Sequence, residues 1–288
     1  MEEYLATHER LARVFEHRIV FVVGATRWGT AWVQQCLDAH PEICCKGEAH
    51  LTDSLFPLLA KAFDDYNAGA EAVGNRLQKS GLPGNAAGIT VDDVDYLMAS
   101  AAGVMFDRWL KGAGDAVKVI AEKTPEQVLN LKLLDRVLPD LKVVHVYRDG
   151  RDEAVSAWDF NSRLSRGEFR RQYPAFGDFA RTFAESWRRA VDAARDFDRR
   201  RKGQCFHLKA EALPAAAASS LKALFTFLGV DAADAVVEAA AERAWEAAPL
   251  DVDGGIWKRK FDGETAKAFN RDCGELLKLL GYDAEAKP

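Results

Sequence analysis

Five short apolar runs, rich in β-branched residues, punctuate the chain at residues 19–23, 42–45, 116–121, 142–147 and 204–208. Their near-continuous hydrophobicity suits strands buried on both faces, rather than strands with one wet face. Between and after them, apolar positions recur at three- and four-residue intervals. That spacing predicts helices near 31–39, 126–138, 178–202 and 215–228. Strands alternating with helices predict an α/β fold, with a central parallel sheet of about five strands flanked by helices. No repeat period is visible, and one domain over residues 1–288 is expected. Two stretches look least like sheet scaffold. Residues 64–103 contain Gly81-Leu82-Pro83-Gly84-Asn85 and the acidic Asp92-Asp93-Val94-Asp95. Residues 159–177 carry Asn161, Arg163, Arg166, Phe169, Tyr173 and Phe176.

The first strand runs straight into Gly24-Ala25-Thr26-Arg27-Trp28-Gly29-Thr30-Ala31. A strand, a glycine-punctuated loop and a helix start together make an anion site. Free backbone N–H groups and the positive end of the helix dipole face whatever sits there. Arg27 adds a fixed cation with several donors, and Thr30 adds a hydroxyl. A phosphate-like group is the natural guest. Gly24 and Gly29 have the separation of a phosphate-binding P-loop, but Thr30 and Ala31 stand where that motif carries Lys and Ser/Thr. The loop is therefore P-loop-like, as in the P-loop NTPase folds, with its cation moved inside to Arg27.

The fourth strand run leads to a second charged turn, Arg148-Asp149-Gly150-Arg151-Asp152, and a helix start that carries Ser156. Ligands of open parallel sheets bind beside the carboxyl ends of strands, so both turns face one edge.

At these residues the chain resembles the sulfotransferases that use 3′-phosphoadenosine-5′-phosphosulfate. Arg27-Trp28-Gly29-Thr30-Ala31-Trp32 is similar to their 5′-phosphosulfate loop, and Arg148 to Asp152 with Ser156 to their 3′-phosphate motif. His40-Pro41-Glu42-Ile43, Glu122-Lys123-Thr124-Pro125, the segment from Leu224 to Val230 and Gly255-Ile256-Trp257-Lys258 also resemble the family, so the likeness runs from about residue 19 to 282. It implies that Gly24, Arg27, Trp28, Gly29, Thr30, Ala31, Trp32, Arg148, Ser156, Trp257, Lys258 and Arg259 hold the nucleotide. It also implies a co-substrate that leaves as 3′-phosphoadenosine-5′-phosphate, no metal, and in-line transfer of a sulfuryl group to an acceptor hydroxyl or amine. Such a transfer places three demands on the protein. Donor and acceptor must be held in line, charge on the leaving phosphate neutralised, and a proton taken from the acceptor. Arg27 and Lys123 fall on the charge-neutralising positions. Residues 64–103 and 159–177 are then expected to cover the acceptor, as loops over a rigid scaffold commonly do.

Several positions depart from the family pattern. Trp28 and Ala31 replace hydroxyl residues, Leu250-Asp251-Val252 stand in place of an Arg-Lys-Gly clamp, and Ala210 replaces a Tyr. Pro125 occupies the place of the histidine base of the small-molecule branch. Other branches set a Glu after the second strand, and Ile43-Cys44-Cys45-Lys46-Gly47-Glu48 looks like that arrangement. Glu48 is the expected base, followed by His50 and then Glu122. Two other readings stay open from the residues: a P-loop kinase or phosphotransferase, and a catalytically silent nucleotide-binding protein.

The net charge of −5 argues against a general nucleic-acid binder, although Lys258-Arg259-Lys260 makes a local basic patch. Five cysteines, odd in number and irregular in spacing, suit reduced thiols and a cytoplasmic setting. There is no run of about twenty apolar residues for a membrane span, and the first residues lack a basic-then-apolar leader pattern. A small-molecule, glycan or peptide acceptor is the expected partner.

Overall fold

The computed structural model describes residues 1–24, 29–84, 88–248 and 254–284. Five strands form one sheet: β1 (Arg18–Gly24), β2 (Ile43–Lys46), β3 (Val119–Lys123), β4 (Lys142–Tyr147) and β5 (Cys205–Lys209). Their spatial order is β2-β3-β1-β4-β5, and all four pairings are parallel. Each expected strand is present. The third lies nearer its motif than expected, because its ladder starts only where Val119 pairs with Arg18, while the N–H groups of Lys118 and Val119 bond to the Glu42 carbonyl.

Buried strands in a parallel sheet have two dry faces, and the pleat sends alternate side chains to each. Val20 and Val22 face one way. They pack with Trp32, Val33 and Leu37 of α2 (Thr30–Asp38), with Leu221, Leu224 and Phe225 of α9 (Leu213–Leu228), and with Val237 of α10 (Asp234–Ala247). Ile19, Phe21 and Val23 face the other way. There they meet α1 (Glu2–Val14), α4 (Val91–Leu110), α5 (Leu131–Val137) and the long α8 (Phe176–Arg200). A third cluster joins α6 (Gly150–Leu164), α8 and α11 (Gly263–Leu279) through Ala154, Trp187 and Phe269.

The two stretches outside the scaffold pattern are mostly helical. The first contains most of α3 (Phe56–Lys79) and the start of α4. In α4, Thr90 and Asp93 form a reciprocal capping box. In the 24-residue α3 only Phe56 and Gly74 are buried, so it stands out from the body. The second holds the end of α6, the short α7 (Glu168–Gln172) and the start of α8, tied by Trp158, Phe169 and Phe179. Among the described residues no helix is long and apolar enough to cross a membrane.

Two glycines are fixed by close approach. A Cβ on Gly24 would lie 2.3 Å from the Val146 carbonyl oxygen on the neighbouring strand, and one on Gly150 2.5 Å from the Trp187 ring. Neither obstacle is a flexible side-chain end. Gly24→Ala and Gly150→Ala are each expected to lower stability by about 1–3 kcal/mol, the usual cost of overpacking a dense interior. The check is the urea midpoint of each variant. A midpoint equal to that of the parent would contradict the close packing.

Candidate active site

The parallel register brings the chemistry to one edge. Lys123 ends β3 beside Val22 of β1, and Gly24 ends β1 beside Val146 of β4, two residues before Arg148. Lys46 ends β2 beside Glu122, and Glu48 follows two residues later. The carboxyl ends of four neighbouring strands thus present Glu48, Lys123, the β1–α2 turn and Arg148 in sequence, as open α/β sheets do with their ligands.

At the β1–α2 turn, Gly29 takes φ +90°, a left-handed conformation that favours glycine, and precedes the first turn of α2. Among the described residues no side chain caps that helix, so its leading N–H groups keep their capacity for an anion. Thr30 is buried at the helix start and Ala31 is exposed. Trp32 points into the core against Trp245, 5.1 Å between ring centroids. The expectations for Arg27 and Trp28 lie outside the described residues, as does the replaced clamp at 250–252.

On β3, Lys123 is almost buried and donates from Nζ to Glu48 Oε1. Glu48 Oε2 lies 3.3 Å from His50 Nε2, and His50 Nδ1 lies 2.7 Å from Asp53 Oδ2. Asp53, His50's partner, was not expected from the sequence, although the i,i+3 spacing from His50 was there to be read. His50 holds φ +47°, rare for a non-glycine residue, and opens a π-helical turn, Leu51–Leu55. Ser54 and Leu55 both donate their N–H to its carbonyl. Asp53 and Glu48 beside the ring push the His50 pKa above the ordinary histidine value.

Beneath this pair lies Glu122, fully buried. Its Oε1 accepts from the Ala49 N–H at 2.8 Å and from the Thr124 hydroxyl, and its Oε2 accepts from Gln127 Nε2 at 3.2 Å. Thr124 Oγ1 in turn accepts from the His50 N–H at 3.3 Å. Glu122 thus contacts no substrate-facing space. It ties the end of β3 to the loop that carries Glu48 and His50. Burial pushes its pKa up to about 7 against the hydrogen bonds, which oppose the rise.

The second turn is a compact charge cluster. Asp149 caps α6 by accepting from the Arg151 N–H, and its carboxylate also takes a two-pronged bond from the Arg151 guanidinium at 3.0 and 2.7 Å. That guanidinium stacks 4.1 Å above Trp257 and donates to the Asp283 carbonyl. Asp152 accepts from the N–H groups of Gly255 and Trp257 at 2.8 and 2.9 Å, fixing the 3₁₀ turn Ile256–Arg259. Trp257 is therefore buried as a packing residue, with Lys258 and Arg259 exposed beside it. The Asp149 N–H donates to Glu211, whose carboxylate also accepts from the Tyr282 hydroxyl. Glu153 is buried, and its carboxyl oxygens find no hydrogen-bond donor among the described residues. Burial pushes its pKa well up, with Arg148 opposing. Arg148 is buried, and Ser156 lies half-buried farther along α6. A cavity of about 960 Å³ at the opposite, amino-terminal edge of the sheet, lined by Arg18, Lys118 and Asp140, contains none of these residues.

The titration of Glu122 has a definite sign. Its folded pKa lies above that of an ordinary carboxyl, so the unfolded chain loses its proton first. Its contribution is full below about pH 4.5 and is lost as pH rises to about 7. Glu122→Gln keeps the acceptor oxygen, and Gln127, whose Oε1 lacks a donor among the described residues, can rotate its amide to meet the new N–H. Between pH 4.5 and 7.5 the wild type is expected to lose about 3 kcal/mol relative to this variant, by the linkage of about 1.4 kcal/mol per unit. Urea unfolding of both proteins across that range measures it, and parallel curves would contradict the assignment.

Human protein-tyrosine sulfotransferase 1 is 26% identical over 133 residues, 46% of this chain and 32% of that protein, so the chain matches about a third of its curated relative's length. Sulfotransferase STF9 from Mycobacterium avium shares the fold at a TM-score of 0.55 and 17% identity, over 99% of this chain and 82% of that one. Mouse sulfotransferase SULT7A1, solved complexed with PAP, does so at a TM-score of 0.52 and 14% identity, over 94% and 89%. The match to the sulfotransferase family itself runs over residues 20–234, from β1 to the start of α10, and the chain belongs to that family.

Proposed function

We propose that the chain transfers a sulfuryl group from 3′-phosphoadenosine-5′-phosphosulfate to an acceptor hydroxyl or amine. The observation that carries this reading is the Glu48–Lys123 pair near a helix N-terminus that no described side chain caps, with a buried arginine at the next strand end. The co-substrate supplies an activated sulfuryl group on a phosphate leaving group. The chain's residues bind, orient and move a proton. The N–H groups of α2 with Thr30 and Arg27 hold the 5′-phosphate side, and Arg148 with Ser156 holds the 3′-phosphate. Lys258 and Arg259 are assigned the work of the missing basic clamp.

Lys123 has two anions to choose between. In this structure it pairs with Glu48. A sulfonate and phosphate beside it offer a stronger anionic field, and its transfer to them leaves Glu48 Oε1 open to the acceptor's proton. Donor binding thus arms the base. A half-exposed carboxylate also has room for an incoming hydroxyl, which the buried Glu122 lacks. The α6–α7–α8 cover and the α3–α4 pair are assigned to the acceptor.

Three measurements test this reading. Calorimetric titration with 3′-phosphoadenosine-5′-phosphate should show binding where ATP with magnesium shows little, and the opposite ranking would favour a phosphotransferase. Glu48→Gln should cut transfer of ³⁵S from labelled donor by about 10²–10⁴-fold, the usual worth of a positioned general base. Its affinity for the bisphosphate should stay near that of the parent, and undiminished turnover would remove Glu48 from the role. Deleting residues 163–172 should raise the KM of the acceptor selected from a phenol, sugar and tyrosine-peptide panel while sparing nucleotide binding, whereas lost nucleotide binding would refute the cover assignment.

A further inference from the structure

Glu48, His50 and Asp53 form a line of carboxylate, imidazole and carboxylate, with 3.3 Å at one ring nitrogen and 2.7 Å at the other. The line is built, not incidental. His50 pays for its place with a left-handed backbone (φ +47°) and a π-helical turn, features that concentrate at functional positions. Its N–H is anchored on Thr124 and, through that hydroxyl, on the buried Glu122. Asp53 reaches the ring from the following turn, so neither flanking carboxylate depends on a long flexible lever.

We propose that His50 takes the proton from Glu48 after each transfer and passes it to solvent, with Asp53 as the positioning residue that holds the imidazole for this step. The inference rests on the sulfuryl-transfer reading and adds a residue pair to it.

The proton moves as follows. The acceptor O–H or N–H bond breaks as the new bond to sulfur forms, and the proton goes to Glu48. A turn of the Glu48 carboxyl, whose terminal torsion is soft, presents that O–H to His50 Nε2. The O–H bond breaks, the Nε2–H bond forms, and Glu48 is again a carboxylate. Throughout, Nδ1–H stays on Asp53, which fixes the tautomer with its free lone pair on Nε2. The resulting imidazolium lies between two carboxylates, the arrangement that stabilises it most. Its side chain is 43% exposed, so water can collect the proton. No oxidant or co-reactant is required.

The groups facing His50 set the pH dependence. Asp53 and Glu48 contact it, and Glu126 acts on it from a distance. Lys123 reaches it only through Glu48, and Glu122 only through Thr124. The neutral imidazole is the working form, so kcat should rise with pH through the ionisation of His50, above the ordinary histidine value. Glu122 titrates near the same range, and Glu122→Gln should leave that rise in place.

Two readouts decide the matter on the full chain. The first needs no acceptor: ¹⁵N-histidine NMR titration of the wild type, Asp53→Asn and Glu48→Gln. His50 should titrate above 6.5 in the wild type and lower in both variants, and a value at 6.5 or below that neither substitution moves would overturn the proposal. The second uses the ³⁵S donor with the acceptor found in the panel. His50→Gln should lose about 10–100-fold in kcat, with KM within about 3-fold, and should lack the rise with pH. In His50→Ala, added imidazole should restore turnover, more at higher pH. Loss of activity without imidazole rescue, in a variant whose urea midpoint matches the parent, would reduce His50 to a structural part. A wild type that transfers no label to any acceptor would instead sink the functional reading, and the relay with it, while the NMR shifts would still report the two-carboxylate bridge.

Discussion

The buried carboxyl of Glu122 joins the two halves of the candidate site. A side chain in the middle layer of a parallel sheet is expected to be apolar, and a carboxyl there is costly unless each oxygen finds donors. Glu122 meets that demand by binding the Ala49 N–H, the Thr124 hydroxyl and the Gln127 amide. Those three donors come from the loop after β2, the end of β3 and the 3₁₀ turn that follows it. The polar group in the core is thus tolerated because it crosslinks segments that the hydrophobic effect alone, being non-directional, would leave in loose register. Glu48 and His50 flank Ala49, so their spacing from Lys123 is set by this brace. Neutralisation by burial helps, because a proton on Glu122 removes a charge that would otherwise compete with Glu48 for Lys123.

At the β4–α6 turn the same problem has a different solution. There Asp149, Arg151 and Asp152 are paired or hydrogen-bonded rather than neutralised. Arg151 is consumed by Asp149, Trp257 and the Asp283 carbonyl, and Asp152 by two backbone N–H groups of the C-terminal turn. Breaking one member of such a buried pair leaves its partner uncompensated, which costs several kcal/mol. The repeated Arg-Asp pattern therefore divides its labour. Arg151 and the two aspartates assemble the corner, and Arg148, at the strand end proper, is the residue proposed for the 3′-phosphate. Trp257 belongs with the assembling group, since its ring supports Arg151 from below.

The sheet was legible in the sequence because each strand is a compact apolar run. Val20 and Val22 on one face and Ile19, Phe21 and Val23 on the other leave no helical reading. The turn residues were legible for a similar reason, since Gly24, Gly29 and Arg148 sit where strand signals stop. The helices α3 and α4 were not. With two buried positions in 24 residues, α3 has little core-facing stripe to betray it, and the Gly-Leu-Pro-Gly turn beside it carries a loop signal. Trp32 and Trp257 read as ligand residues from their motifs, yet both side chains are packed inside, which spacing along the chain cannot report. Glu122 stood third among the candidate bases, because nothing local distinguishes a carboxylate exposed at a strand end from one buried beneath it. Its role depends on Ala49, 73 residues away in the chain.

The consequence reaches the choice of the proposed base. Three acidic or basic side chains, Glu48, His50 and Glu122, crowd one corner, and sequence alone ranks them only by motif. Burial separates them. Glu122 has no face toward solvent and both oxygens engaged, so it can neither meet an acceptor nor exchange a proton quickly. His50 touches its neighbours through both ring nitrogens, which leaves it no nitrogen for an acceptor while both contacts hold. Glu48 alone combines an exposed carboxylate with a partner, Lys123, that an incoming anion can draw away. A base masked by a cation until the donor arrives also protects against futile chemistry, because a proton acceptor unveiled only in the presence of the activated group has no earlier reaction to promote. Ordered unmasking of this kind requires Lys123 to stand between the carboxylate and the proposed anion site, a requirement that its pairing with Val22, two residues before Gly24 ends β1, fits.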